Sequence, residues 1–180
     1  MTCEPEYNYD GTILNRLPEE YDGMFEVPEG VTEIADSAFM DCQSLSAISL
    51  PSTLTKIGES AFENCKRLKA IRIPDSVTEI ADSAFMDCQS LSAISLPSTL
   101  TKIGNYAFKR CESLQAITIP DSVTEIGQAA FWMCHSLTDV VLSRSLCEIA
   151  YEAFCETAIE HIVIPESVRS IGGKCLRGLL

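Results

Sequence analysis

Residues 31–58, VTEIADSAFMDCQSLSAISLPSTLTKIG, recur without a single change at 77–104. The offset is 46, and within it runs a shorter period of 23, marked by the dipeptide AF at 38, 61, 84, 107, 130 and 153 and by Cys at 42, 65, 88, 111 and 134. A fixed period in this range is the signature of a stacked-repeat architecture, in which one unit cannot bury its apolar side alone. Five coils of 23 residues start at Val27, Leu50, Ile73, Leu96 and Ile119; a sixth, of 22, starts at Leu142, and a partial seventh at Ile164. Residues 1–26 are expected to form an acidic N-terminal cap, and 27–180 the solenoid.

Within a coil the stretch LxxIx(L/I)P, as in Leu45, Ile48 and Leu50, alternates inward apolar with outward small residues, which is the pattern of a half-buried strand. Pro51, Pro74, Pro97 and Pro120 close these strands, because proline has no N–H to continue a ladder. The next segment, VTEI or LTKI, returns a second apolar pair to the core, and a short helical turn is expected around ADSAFMDC. Stacking predicts parallel strands about 4.8 Å apart and continuous internal columns of Phe and Cys. The residue before the repeated Ile alternates as Glu33, Lys56, Glu79, Lys102 and Glu125, so neighbouring coils set opposite charges side by side. Such exposed pairs are worth ~0.2–1 kcal/mol each and act on register more than on stability.

The unit IPDSVTEIGxxAFxxCxxLxxI resembles the BspA-like, or treponemal, type of leucine-rich repeat over residues 27–174. The opening stretch DGTILNRLPEEYDGMFEVPEGV is similar to the atypical hairpin that begins such arrays, and AFCETAIEHIVIP to a variant coil in which a Thr, here Thr157, takes the place of the Cys. The resemblance implies a right-handed leucine-rich-repeat superhelix with parallel strands on its concave face. It also implies a protein-binding role at a cell surface or in a secreted protein, with host matrix or cell-surface proteins as partners.

The nine cysteines do not have metal-ligand spacing: one thiol per 23 residues places a column of single thiols in the core, expected to be buried and reduced. No cofactor or metal motif is present, and no GxSxG, HExxH or glycine-rich phosphate loop points to catalysis. The net charge of −13 argues against nucleic acid as the partner, since phosphate binding needs a basic stripe. Eight of the Asp and Glu residues fall within the first thirty positions, against Arg16 alone among basic residues there. There is no run of eighteen apolar residues that would insert into a membrane, and no visible secretory signal.

Positions that vary between copies while the core repeats must be exposed. Coils one and three are identical there, coil two carries Lys66, Arg67, Lys69 and Arg72, and coils four to six carry Tyr106, Lys109, Arg110, Trp132, His135 and Tyr151. The last six are the expected partner-binding residues, because aromatic and cationic side chains dominate interface energetics. The competing role for Trp132 and Tyr151 is to lie flat over seams between coils. These readings converge on a non-enzymatic binding module, part of a cell-surface adhesin or host-interaction protein; the alternative is an intracellular, cytoplasmic protein-binding scaffold or regulatory protein. The terminal Leu176, Leu179 and Leu180 are expected to fold over the last coil as a cap.

Overall fold

The computed structural model describes residues 4–174; the expected leucine cap, Cys3 and Cys175 lie outside them. Fifteen short strands appear among the described residues, and no helix. A hairpin of β1 (Glu6–Tyr7) and β2 (Ile13–Arg16) opens the chain, followed by β3 (Gly23–Glu26). Coils one to five then each contribute one strand to each of two parallel faces, and coils six and seven contribute one to the second face alone. One face holds β5 (Leu45–Ser49), β7 (Ala70–Arg72), β9 (Ala93–Ser95), β11 (Ala116–Thr118) and β13 (Asp139–Val141). The other holds β4 (Glu33–Ile34), β6 (Lys56–Ile57), β8 (Glu79–Ile80), β10 (Lys102–Ile103), β12 (Glu125–Ile126), β14 (Glu148–Ile149) and β15 (Ser170–Ile171). Partners are 23 residues apart, as in Ile71↔Ile94 and Ile103↔Ile126, and the shortened sixth coil pairs Ile149 with Ile171 at 22. The 23-residue solenoid is therefore present, with a second ladder where the sequence suggested only an apolar return.

The columns form as the period requires. Phe39, Phe62, Phe85, Phe108, Phe131 and Phe154 are buried and stack ring on ring, with centroids 4.7–5.4 Å apart and planes within 12° of parallel. Phe25 meets Phe39 edge-on at 5.8 Å and Tyr21 meets Phe25 edge-on at 5.4 Å, which ends the column under the opening hairpin. Alongside runs the thiol column. Cys65, Cys88, Cys111 and Cys134 each point the sulfur at the carbonyl of the Phe 26 residues earlier, at 3.1–3.3 Å. All five ladder cysteines, Cys42 included, are buried and unoxidised. In the variant sixth coil Thr157 instead donates to Phe154 of its own coil, at 2.9 Å.

The corner around ADSAFMDC is not a helical turn. Two residues in every corner adopt the left-handed conformation, Ser37 (φ 58) and Asp41 (φ 63) in the first coil and Tyr106 (φ 56) and Arg110 (φ 59) in the fourth. As a result, alternate N–H groups leave the coil. Ser37, Phe39 and Asp41 donate to Glu59, Ala61 and Glu63 of the next coil at 2.7–2.9 Å, while Ala38, Met40 and Cys42 close turns onto residues three back. A helix would satisfy its own donors; here half of them tie successive coils together, which outweighs the left-handed penalty of ~1–2 kcal/mol per residue.

The two strand faces are less continuous than the corners. On the first face pairing runs two by two, β3 with β5, β7 with β9 and β11 with β13, and no ladder joins β5 to β7 or β9 to β11. On the second face the break falls between β6 and β8. At the break on the second face the residue after the repeated Ile is alanine, Ala81, where most coils have glycine. Gly58, Gly104, Gly127 and Gly172 each donate to the preceding coil's Ile carbonyl at 2.7–2.9 Å, but no such bond forms from Ala81 or Ala150. A Cβ at Gly104 would sit 2.4 Å from Asp82 Oδ1 and 2.7 Å from the Ala81 carbonyl carbon, so glycine is what permits the close approach. Asp82 uses that proximity to accept the Asn105 N–H at 2.8 Å. Gly104→Ala is therefore expected to lower stability by ~1–3 kcal/mol through forced separation of coils three and four. Urea unfolding that left the midpoint unchanged would show that the approach is not tight.

The charge alternation operates at two joins, with Lys56 on Glu33 at 2.7 Å and Lys102 on Glu125 at 3.5 Å. It lapses where Glu148 pairs alongside Glu125.

Candidate surface for partner binding

The left-handed backbone at Tyr106 and Arg110 sends their N–H groups to Gln128 and Trp132 of coil five, at 2.9 and 2.8 Å. This lays the two corners directly against each other, so that residues 23 positions apart become neighbours. Lys109 stands in the same column as Trp132, and its ammonium lies 4.7 Å from the Trp132 ring centroid and 5.6 Å from that of Tyr106. Cation–π contacts of this kind contribute ~0.5–1 kcal/mol at exposed sites and more where water is excluded. The indole is half-buried, and its Nε1 is shielded from solvent without a hydrogen-bond partner. An unpaired buried donor costs ~1–3 kcal/mol, so this N–H is a group that an acceptor brought by another molecule could relieve. Arg110 completes the group from the next position, paired with Asp87 at 3.2 Å and Glu112 at 3.8 Å.

His135 and Tyr151 are not drawn into this group. His135 turns its Nδ1 to the Glu156 carbonyl at 3.1 Å, toward coil six. Tyr151 is 42% exposed and lies beside Gly173, with the Lys174 ammonium 5.8 Å from its ring. The Tyr151 hydroxyl, and after it Glu152, keep Lys174 protonated above its ordinary range. Tyr151 thus covers the join to coil seven, in keeping with the seam-shielding role, while Trp132 combines partial burial with an exposed cationic neighbour.

Sequence reasoning missed two features of the first strand face. At the unpaired joins β5/β7 and β9/β11, Ile48, Leu50, Ile94 and Leu96 are half-buried rather than buried, and a groove opens at each. The only trace in the sequence is Leu at 50 and 96 where Ile stands at 73 and 119. The second feature is the pair Val141 and Val163, exposed at 59% and 85% toward the end of the array.

The family model described as a BspA type leucine rich repeat region matches residues 23–92 and 64–179, in six copies. The chain belongs to the BspA-type leucine-rich repeat family. Similar folds have been solved among leucine-rich repeat proteins. The chain is 32% identical to a leucine rich cell surface protein from Faecalibacterium prausnitzii, with a TM-score of 0.86, over 97% of this chain and 50% of that one. It is 34% identical to a leucine-rich repeat protein of T. pallidum (TM-score 0.83; 94% of this chain, 82% of that one). A leucine-rich repeat protein from Bacteroides ovatus is 29% identical (TM-score 0.73; 96% and 60%). The BspA-type array described here therefore spans half the length of the Faecalibacterium protein. No curated protein matches the chain.

Proposed function

We propose that this chain is a non-enzymatic protein-binding module of a cell-surface adhesin or host-interaction protein, and that its partner seats on the corners of coils four and five. The observation that carries the reading is the Trp132 indole, half-buried under Lys109 with its N–H unpaired, beside Tyr106 and Arg110. Trp, Tyr and Arg are the residues enriched at interface hot spots, and a rigid stack holds them in place without an ordering cost at binding. The repeat family supports a binding role, and the description of the Faecalibacterium relative as a cell surface protein supports the location. Among the described residues no helix is long and apolar enough to cross a membrane.

Coil three supplies a neutral replacement, because it holds Ser83 and Met86 where coil four holds Tyr106 and Lys109. Immobilised parent chain and the Tyr106→Ser, Lys109→Met double variant would be exposed to host matrix and cell-surface proteins. The parent is expected to retain one or a few species that the variant loses, with the variant's melting curve unchanged. Equal retention by both chains would remove this corner as the binding surface and leave the strand face of Ala47, Ala70, Ala93 and Ala116.

A further inference from the structure

Seven of the described cations, among them Arg16, Lys56, Lys102, Arg110 and Arg144, form ion pairs with carboxylates. Lys66, Lys69 and Arg72 form none, and only Arg67 of their cluster is paired, to Asp22 at 3.4 Å with both side chains exposed. All four belong to coil two. The stack sets them between neutral neighbours, since the same positions of coils one and three hold Gln43, Ser44, Ser46 and Ser49 and Gln89, Ser90, Ser92 and Ser95. Register confirms the placement: Arg72 pairs alongside Ser95, and the Lys66 and Lys69 carbonyls accept from Ser90 and Ser92. In a chain of net charge −13, this is a cationic strip of which only Arg67 forms an ion pair within the protein.

The strip runs into a groove. Arg72 lies on the wall of the opening between β5 and β7, a space of about 450 Å³ lined also by Ile48, Leu50, Pro74, Asp75 and three serines, Ser49, Ser52 and Ser76. Asp41 is engaged by Asn64 and Asp87 by Arg110. A groove of similar volume opens two coils on, between β9 and β11, over Ile94, Leu96 and Pro120; Thr118 stands there in the place of Arg72. The fold has thus built the same cleft twice and charged it once.

We propose that coil two is a binding site for an acidic peptide segment, separate from the coil-five corner and independent of it. A carboxylate of the peptide pairs with Arg72, a neighbouring aliphatic side chain rests on Ile48, Leu50 and Pro74, and Lys66 and Lys69 draw in further acidic residues. Guanidinium–carboxylate pairing is charge-assisted and directional, which suits a single cation at the mouth of a cleft. The apolar floor favours a peptide over a sulfated polysaccharide, which would gain from the cations but not from the groove.

The test is selection of displayed random heptapeptides on the full chain, followed by affinity measurement of the enriched peptides on Arg72→Thr and on Thr118→Arg. Enriched sequences should place Asp or Glu next to Leu, Ile or Val. Arg72→Thr, which copies the residue of the uncharged twin, should weaken them at least about tenfold with an unchanged melting curve. Thr118→Arg should raise the stoichiometry from one peptide per chain to two. Enrichment without acidic residues, or affinity indifferent to Arg72→Thr, overturns the proposal. Retention on immobilised heparin that depends on these cations, with no acidic peptides enriched, gives the strip to polyanions and also overturns it.

Discussion

Replacing Phe85 with alanine is expected to destabilise the array by ~3–5 kcal/mol, the range for removing a large aromatic side chain from a packed interior. The ring is fully buried between Phe62 at 5.1 Å and Phe108 at 5.4 Å, and both neighbours stack on it nearly parallel. Its removal leaves a void that those rings cannot fill, because each is fixed by its own coil's position in the stack. In a quasi-one-dimensional array the loss also weakens the coupling of the coils on either side. Urea unfolding should therefore show both a lower midpoint and a broader, less cooperative transition. A midpoint shifted no more than by an ordinary surface substitution would mean that the ring column does not bear on stability.

Alkaline pH is expected to unfold the chain cooperatively. Burial pushes the ladder thiols up from an ordinary value of 9.0, Cys42 and Cys134 to about 12 and Cys65, Cys88 and Cys111 also well above it. The folded chain then keeps five protons that the unfolded chain releases above the ordinary thiol value. Because the unfolded state binds fewer protons in that window, stability falls as pH rises from 9 toward 12, and is untouched by these groups below 9. Each thiol contributes a slope of up to about 1.4 kcal/mol per pH unit, so five together can consume a total stability of ~5–15 kcal/mol within one to two units. Lysine and tyrosine titration overlaps this range. Comparing the parent with Cys88→Ala/Cys111→Ala isolates the thiols, since the difference between the two slopes of stability against pH should equal about two-fifths of the ladder's contribution. An equal slope in both chains, or thiolate absorbance from the ladder in the still-folded chain, would contradict the account.

Much of this fold can be read from spacing alone. The AF and Cys positions recur every 23 residues, and the structure places them in two internal columns with the expected register. The corners escaped the reading because their conformation is imposed from outside the segment. ADSAFMDC has the composition of a helical turn, yet residues as different as Ser83, Tyr106, Ala129 and Met133 all take positive φ, since the N–H groups at these corners must reach the next coil. No local propensity encodes that. The break on the second face falls where Ala81 stands in place of glycine, but Ala150 at the equivalent position leaves β12 and β14 paired, so the exchange alone does not encode it.

The candidate surface divides along the same line. The period correctly brings Tyr106, Lys109, Arg110 and Trp132 onto adjoining corners. It cannot give side-chain direction. His135 and Tyr151 occupy exposed slots as read, but each turns toward the following coil, to the Glu156 carbonyl and to Lys174. The unpaired Trp132 Nε1 likewise depends on packing that sequence does not show.

The central functional claim is that Trp132 anchors a partner rather than sealing a seam, and the substitution Trp132→Met separates these roles. Methionine already occupies the equivalent slot as Met40 and Met86, and the exchange removes an orphan N–H along with some apolar contact. The decisive measurement is the affinity of the captured partner for the parent and for Trp132→Met, with the melting temperature of each recorded alongside. An anchor predicts binding weaker by about thirtyfold, equivalent to ~2 kcal/mol, with the melting temperature held. Unchanged affinity together with a lowered melting temperature would contradict the claim and assign Trp132 to the packing of coil on coil.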